Sequence, residues 1–159
     1  MTKVTPKGKD VVIIYPKLEQ EAVEKKPILP LQALAISGPL LREGFGVKIL
    51  DERIEEDLVV TLSRLENEPI CFGISCMYSY QPRSGLNIAK WIRRNFPGIP
   101  IVWGGWFPTL LPQVTIADPH VSIIVKGKGE TTFTELVTAM YNPESCVKTT
   151  YRKLESSRF

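Results

Sequence analysis

Short, nearly continuous apolar runs punctuate the chain: "VVIIY" (11–15), "VKIL" (47–50), "ICFGIS" (70–75), "IPIVW" (99–103) and "VSIIV" (121–125). Several are rich in Val and Ile and lack the polar–apolar alternation of a strand with one wet face. The pattern predicts strands covered on both faces, as in a parallel sheet. Between the runs the period becomes helical. "LPLQALAISGPLLREG" (29–44) puts Leu34, Leu40 and Leu41 toward one side, with a kink expected at Gly38-Pro39. "ERIEEDLVVTLSRLENE" (52–68) spaces Ile54, Leu58, Leu62 and Leu65 by four and three, an amphipathic face. "PRSGLNIAKWIRRNFPG" (82–98) starts at Pro82 and ends before Pro97-Gly98. "GETTFTELVTAMY" (129–141) carries Phe133, Leu136, Val137 and Met140 on one stripe, and 107–118 reads as a short helix broken by Pro112.

Strand and helix alternate five times, which predicts right-handed βαβ crossovers. The expected fold is α/β and Rossmann-like: a five-stranded parallel sheet in the flavodoxin-like order 2-1-3-4-5, with helices on both faces. Ligands of such sheets bind beyond the carboxyl ends of the strands, at the switch point beside strands one and three. Residues 1–142 form one domain in this reading, and 143–159 a polar tail or linker stub.

Composition narrows the picture. A chain of 159 residues with 43% hydrophobic residues suits a globular domain that needs no staples. The net charge of +3 is scattered, so no nucleic-acid surface is expected. No apolar run reaches the roughly 18 residues of a membrane span. Cys71, Cys76 and Cys146 are an odd set without close pairing, which fits a reduced, cytoplasmic setting.

Four unusual clusters follow strands one, three, four and five, and therefore share one edge of the sheet. They are the Pro-rich "YPKLEQEAVEKKPILPL" (15–31), "SCMYSYQP" (75–82), "WGGWFPT" (103–109) and "KGKGETTF" (126–133). Gly104-Gly105 permits a ligand to approach the backbone, or makes a tight turn. Gly127 and Gly129 lead into the last helix. Trp103 belongs to the core in this reading, whereas Trp106 and Tyr78 face a ligand. Cys76 is either a reactive thiol or a small hydrophobe. The only histidine, His120, enters the fifth strand from the opposite edge. The glycine-rich nucleotide motifs are missing, no Cys/His spacing suits zinc, and no set of nucleophile, base and orienter is evident. These features favour a binding module over a self-sufficient enzyme.

The ordered set "VVIIYP", "LPLQALAISGPLLREGFGVKILD", "FGISCM", "IPIVWGGWFPTLLP" and "DPHVSIIVKGKGETTFTELV" resembles the cobalamin (vitamin B12)-binding domain of cobalamin-dependent radical S-adenosylmethionine enzymes, over roughly residues 10–141. The resemblance implies a corrinoid-binding module. Ser75-Cys76-Met77 matches the family's Ser-x-Leu motif, with Met77 for Leu, and Gly104-Gly105 its Gly-Gly motif. Ser75 would then hydrogen-bond the benzimidazole of the cofactor's nucleotide tail, with Met77 packing against it. Tyr78, Trp106, Pro108, Gly127, Gly129, Glu130 and Thr131 complete the expected cofactor-binding set. Lys128 stands where the family's recurring Gly-Glu-Gly-Glu-x-Thr-Phe stretch has its first Glu.

The first loop lacks the histidine that the Asp-x-His-x-x-Gly motif supplies in methionine-synthase-like cobalamin domains, as the radical-enzyme relatives usually do, and the resemblance therefore implies base-off cobalamin without a protein histidine on cobalt. The three cysteines do not fit the Cys-x-x-x-Cys-x-x-Cys of a radical domain, so no iron–sulfur cluster is expected in this chain. A radical S-adenosylmethionine domain or partner protein would supply the chemistry, a methyl transfer or related reaction. Two alternatives remain at this stage: an interaction or regulatory domain that keeps the fold without cofactor, and a flavin mononucleotide carrier. The latter would need a Ser/Thr-rich phosphate cradle that the first loop does not have. If the tail runs past Gly105, Gly105→Val should weaken cobalamin binding at least tenfold, roughly 1.4 kcal/mol, and this loss is expected to dominate over the strain of a positive φ at that glycine.

Overall fold

The computed structural model describes residues 8–18 and 28–143. Five strands form one sheet: β1 (Asp10–Tyr15), β2 (Gly46–Asp51), β3 (Cys71–Ser75), β4 (Ile101–Gly104) and β5 (Ile123–Ile124). All neighbours are parallel and the order is β2-β1-β3-β4-β5, as the alternation of runs predicts. The continuous runs are the central strands. Val11 to Ile14 and Cys71 to Ile74 are buried throughout, because layers cover both faces. The edge strands β2 and β5 are only partly buried.

Successive side chains alternate between faces. Val12, Ile14, Phe72, Ile74, Ile101 and Trp103 pack under α2 (Leu58–Ser63) and α3 (Gln81–Asn95). Val11, Ile13, Cys71, Val102 and Val125 pack under α1 (Leu31–Arg42) and α6 (Gly129–Tyr141). Two short helices, α4 (Trp106–Leu110) and α5 (Pro112–Ile116), follow β4. They are separate because Leu111 precedes Pro112, and its φ of −122° and ψ of 56° are not helical.

Some sequence expectations are corrected. The helix expected over 52–68 is confined to α2. Asp57 is extended and its carboxylate accepts from the Val59 and Val60 amides, at 2.9 and 3.1 Å, so the helix starts there. Ile54 lies upstream of that cap and is exposed, while Leu58 and Leu62 carry the buried face. On α1 the buried positions are Ala33, Ser37 and Leu40, not Leu34 and Leu41. The fifth run pairs over only two residues. The expected polar tail, from residue 144, and the first-loop residues 19–27 lie outside the described residues.

Candidate functional site

Parallel strands end at one edge, and the loops after β1, β3, β4 and β5 meet there. Beside them, between the sheet and helices α1 and α6, lies a cavity of about 660 Å³. Small-molecule sites typically occupy ~300–1,000 Å³. Its cause is a shortage of side chains on one face. Gly73 pairs with Val102 and Ser75 with Gly104, and all four line the cavity. A Cβ on Gly73 would crowd the Phe133 ring at 3.2 Å, so that ring lies directly against the strand. A Cβ on Gly104 would meet nothing nearer than the Val125 carbonyl oxygen at 4.0 Å, so the space before it is open. Leu31, Gln32, Ala35 and Ile36 of α1 form the facing wall, and Gly127 to Glu130 close one side. The Ser75 hydroxyl has no hydrogen-bond partner among the described residues, a polar group left over on an otherwise apolar surface.

Gly104 and Gly105 differ in what they do. Gly105 has φ +100°, a backbone that L side chains rarely adopt, and a Cβ there would collide with the Cys76 carbonyl oxygen. The Cys76 main chain stitches the two loops together: its N–H donates to the Gly104 carbonyl at 2.9 Å, and its carbonyl accepts from the Phe107 N–H at 3.2 Å. The Cys76 side chain belongs to the opposite core, with Trp103. Burial pushes its thiol up to about 12, so of the two sequence readings the small hydrophobe holds and the reactive thiol does not.

Of the expected binding residues, Ser75, Gly104, Gly105, Trp106, Gly127, Gly129 and Glu130 line the cavity. Cys76, Met77, Tyr78, Pro108 and Thr131 do not. Pro108 is buried and Thr131 exposed on α6. Trp106 is 63% and Tyr78 65% exposed, at the edge where the loops meet. Met77 sits between the loops after β1 and β3. The Gln32 amide approaches its sulfur at 3.4 Å and the Tyr15 hydroxyl at 3.9 Å.

A polar frame that the residue pattern did not disclose holds the first loop. Gln81 is fully buried; its carbonyl oxygen accepts from the Met77 N–H and its amide donates to the Pro16 carbonyl, both at 2.8 Å. The Glu52 carboxylate accepts from the Lys17 N–H at 2.8 Å and the Ser84 hydroxyl at 2.6 Å. Arg53 pairs with buried Asp51, stacks over the Tyr15 ring at 4.6 Å and donates to the Ile28 carbonyl at 2.6 Å. Both ends of the loop are thereby anchored at the edge of the cavity. Asp51-x-Arg53 at a strand end was the available signal, and its spacing alone is too common to read.

His120 lies at the entry to β5, away from the cavity edge, as its position in the chain implies. Its ring nitrogen is 2.8 Å from the Asp118 carboxylate. Partial desolvation of Asp118 opposes ionisation, but the hydrogen bonds from His120 and the charges of His120 and Lys90 outweigh it and lower its pKa.

Residues 22–137 match the family model described as B12 binding domain. The chain belongs to the B12-binding domain family. The anaerobic magnesium-protoporphyrin IX monomethyl ester cyclase of Synechocystis is 30% identical over 125 residues, 76% of this chain and 25% of that enzyme. An uncharacterized methyltransferase of Pyrococcus horikoshii is 32% identical over 116 residues, 70% of this chain and 25% of the relative. This B12-binding domain thus spans about a quarter of the length of these relatives. Among solved structures, the radical S-adenosylmethionine methyltransferase TsrM of Kitasatospora setae, with cobalamin and a 4Fe–4S cluster bound, superposes with a TM-score of 0.72 at 24% identity. That match covers 84% of this chain and 24% of TsrM, and it shows the shared fold.

Proposed function

We propose that the domain holds cobalamin with the cofactor's nucleotide tail in the cavity and its corrin ring outside, over the loops after β1 and β3. The carrying observation is the lack of side-chain bulk at Ser75 and Gly104, which leaves a largely apolar cavity with one unpaired hydroxyl. A cavity of about 660 Å³ has room for the tail's small heterocycle, and the macrocycle is placed outside it. Ser75 offers the tail a hydrogen bond, and Gly104, Ile36 and Phe133 pack its faces. Gly105, Trp106, Gly127, Gly129 and Glu130 line the remaining wall, while Met77 and Tyr78 border the corrin. Cobalamin, once bound, supplies alkyl transfer at its cobalt. Cobalt receives no protein histidine, and the tail base is off the metal. Support comes from the remoteness of His120 and its engagement with Asp118.

The domain serves a radical S-adenosylmethionine methyltransferase or a related reaction, with the radical chemistry on another domain or partner protein. The names and lengths of the matched relatives support this assignment. A cytoplasmic setting is supported by the unpaired thiols of Cys71 and Cys76. Among the described residues no helix is long and apolar enough to cross a membrane. Exposed Tyr78, Trp106 and Leu110 favour a second reading, an interaction domain without cofactor.

The deciding experiment is gel filtration after incubation with hydroxocobalamin. The expected result is co-elution at about one equivalent, as for a single small-molecule site, with a bound-cofactor spectrum unchanged by His120→Ala. A colourless protein peak would establish the interaction-domain reading instead. A nitrogen-ligated cobalt signal in electron paramagnetic resonance, lost in His120→Ala, would overturn the coordination proposed here.

A further inference from the structure

The β4–β5 ladder is short. Val102 pairs with Ile123 and Trp103 with Ile124, and the last backbone bond runs from the Val125 N–H to the Trp103 carbonyl at 2.8 Å. Beyond it, Lys126, Gly127 and Lys128 are exposed, and Gly127 turns through φ +73° with open space around it. Yet Gly127, Lys128, Gly129 and Glu130 form one wall of the cavity. A single side chain ties that wall to the opposite loop. The Thr109 hydroxyl accepts from the Gly127 N–H at 2.9 Å and donates to the Gly105 carbonyl at 2.7 Å. A hydroxyl has one proton to donate, and committing it to Gly105 leaves a lone pair for Gly127. Thr109 itself lines the cavity and stands on α4, whose start is fixed by the collision-limited turn at Gly105.

We infer that Thr109 is a positioning residue that latches the Gly127 loop to the Gly105 loop and so retains the ligand's tail in the slot. The inference rests on the cobalamin reading above. The bound tail packs against the wall that this hydroxyl holds in place, so losing the bond removes retaining contact from the bound state. Its loss therefore speeds departure more than it alters entry.

The test compares Thr109→Val, nearly the same shape without either hydrogen bond, with Thr109→Ser, which keeps both. Thr109→Ala replaces the valine variant should that one fail to fold. Solvent exchange of the Gly127 amide is read by NMR in the apoprotein, and cobalamin association and dissociation by stopped-flow absorbance. In Thr109→Val the Gly127 amide should exchange at least tenfold faster, and bound cobalamin should dissociate at least tenfold faster, with association changed by less than twofold. Thr109→Ser should restore both. Unchanged Gly127 exchange, or unchanged dissociation from a variant whose Gly127 amide has been freed, would overturn the latch. A wild-type protein that takes up no cobalamin overturns the cofactor reading and retention with it. A wild-type protein that binds, with dissociation indifferent to Thr109→Val, overturns the latch alone.

Discussion

Adjacent glycines at the end of β4 answer to different physical demands, and one methyl group separates them. At Gly105 a side chain must enter a left-handed backbone and the space of the Cys76 carbonyl. The strain alone costs about 1–3 kcal/mol. Gly105→Val should therefore lower the melting temperature of the apoprotein, so the strain foreseen from sequence dominates rather than the affinity loss, and the binding defect is not separable from the folding defect. Gly104 is the informative position. Its Cβ would enter open cavity, and its backbone needs no positive φ. Gly104→Val should leave the apoprotein's melting temperature within about 2 °C of wild type while weakening cobalamin binding at least tenfold, roughly 1.4 kcal/mol. Calorimetric melting and a binding titration check the pair. Undiminished affinity in Gly104→Val would mean that nothing enters the slot beside β4.

At the switch point the loops after β1 and β3 are joined through Gln81. Its side chain, at the start of α3, spans from the loop after β1 to the loop after β3. Gln81→Leu keeps the volume but leaves the Met77 N–H and Pro16 carbonyl buried without partners, at about 1–3 kcal/mol for each unsatisfied group. Urea unfolding should show a loss of at least 2 kcal/mol, and an unchanged midpoint would mean that water replaces the amide. Such polar joints are the part of the molecule least legible in its sequence. Strand order and the glycine positions were readable, because two-sided burial writes continuous Val/Ile runs and absent side chains write Gly. Gln81, Arg53 and Thr109 were not, because each acts on backbone groups far away in the chain. The 3.6-residue period overstates α2 for a related reason: it runs on through Ile54, but Asp57 caps the first amides and the helix starts there.

Taken whole, the domain stores a cavity that its own side chains leave unfilled, and binding should be visible as stability. At a cobalamin concentration of about 100 times Kd, linkage adds about 2.7 kcal/mol to the native state. For a chain of this size that corresponds to a rise in melting temperature of roughly 5–10 °C. Differential scanning calorimetry at increasing cofactor checks it, and a melting temperature that ignores saturating cobalamin would contradict binding to the native state. The walls of that cavity are drawn from Leu31 at one extreme to Phe133 at the other, with α1 and α6 side by side over the sheet. Because α6 is the last helix of the described chain, timing follows during synthesis. β1 to β4 can pair as they leave the ribosome, but the slot has no second wall until Phe133 has emerged. Cofactor capture then waits for α6, and a polypeptide arrested shortly after β5 would hold its glycine strip open to water with nothing to grip.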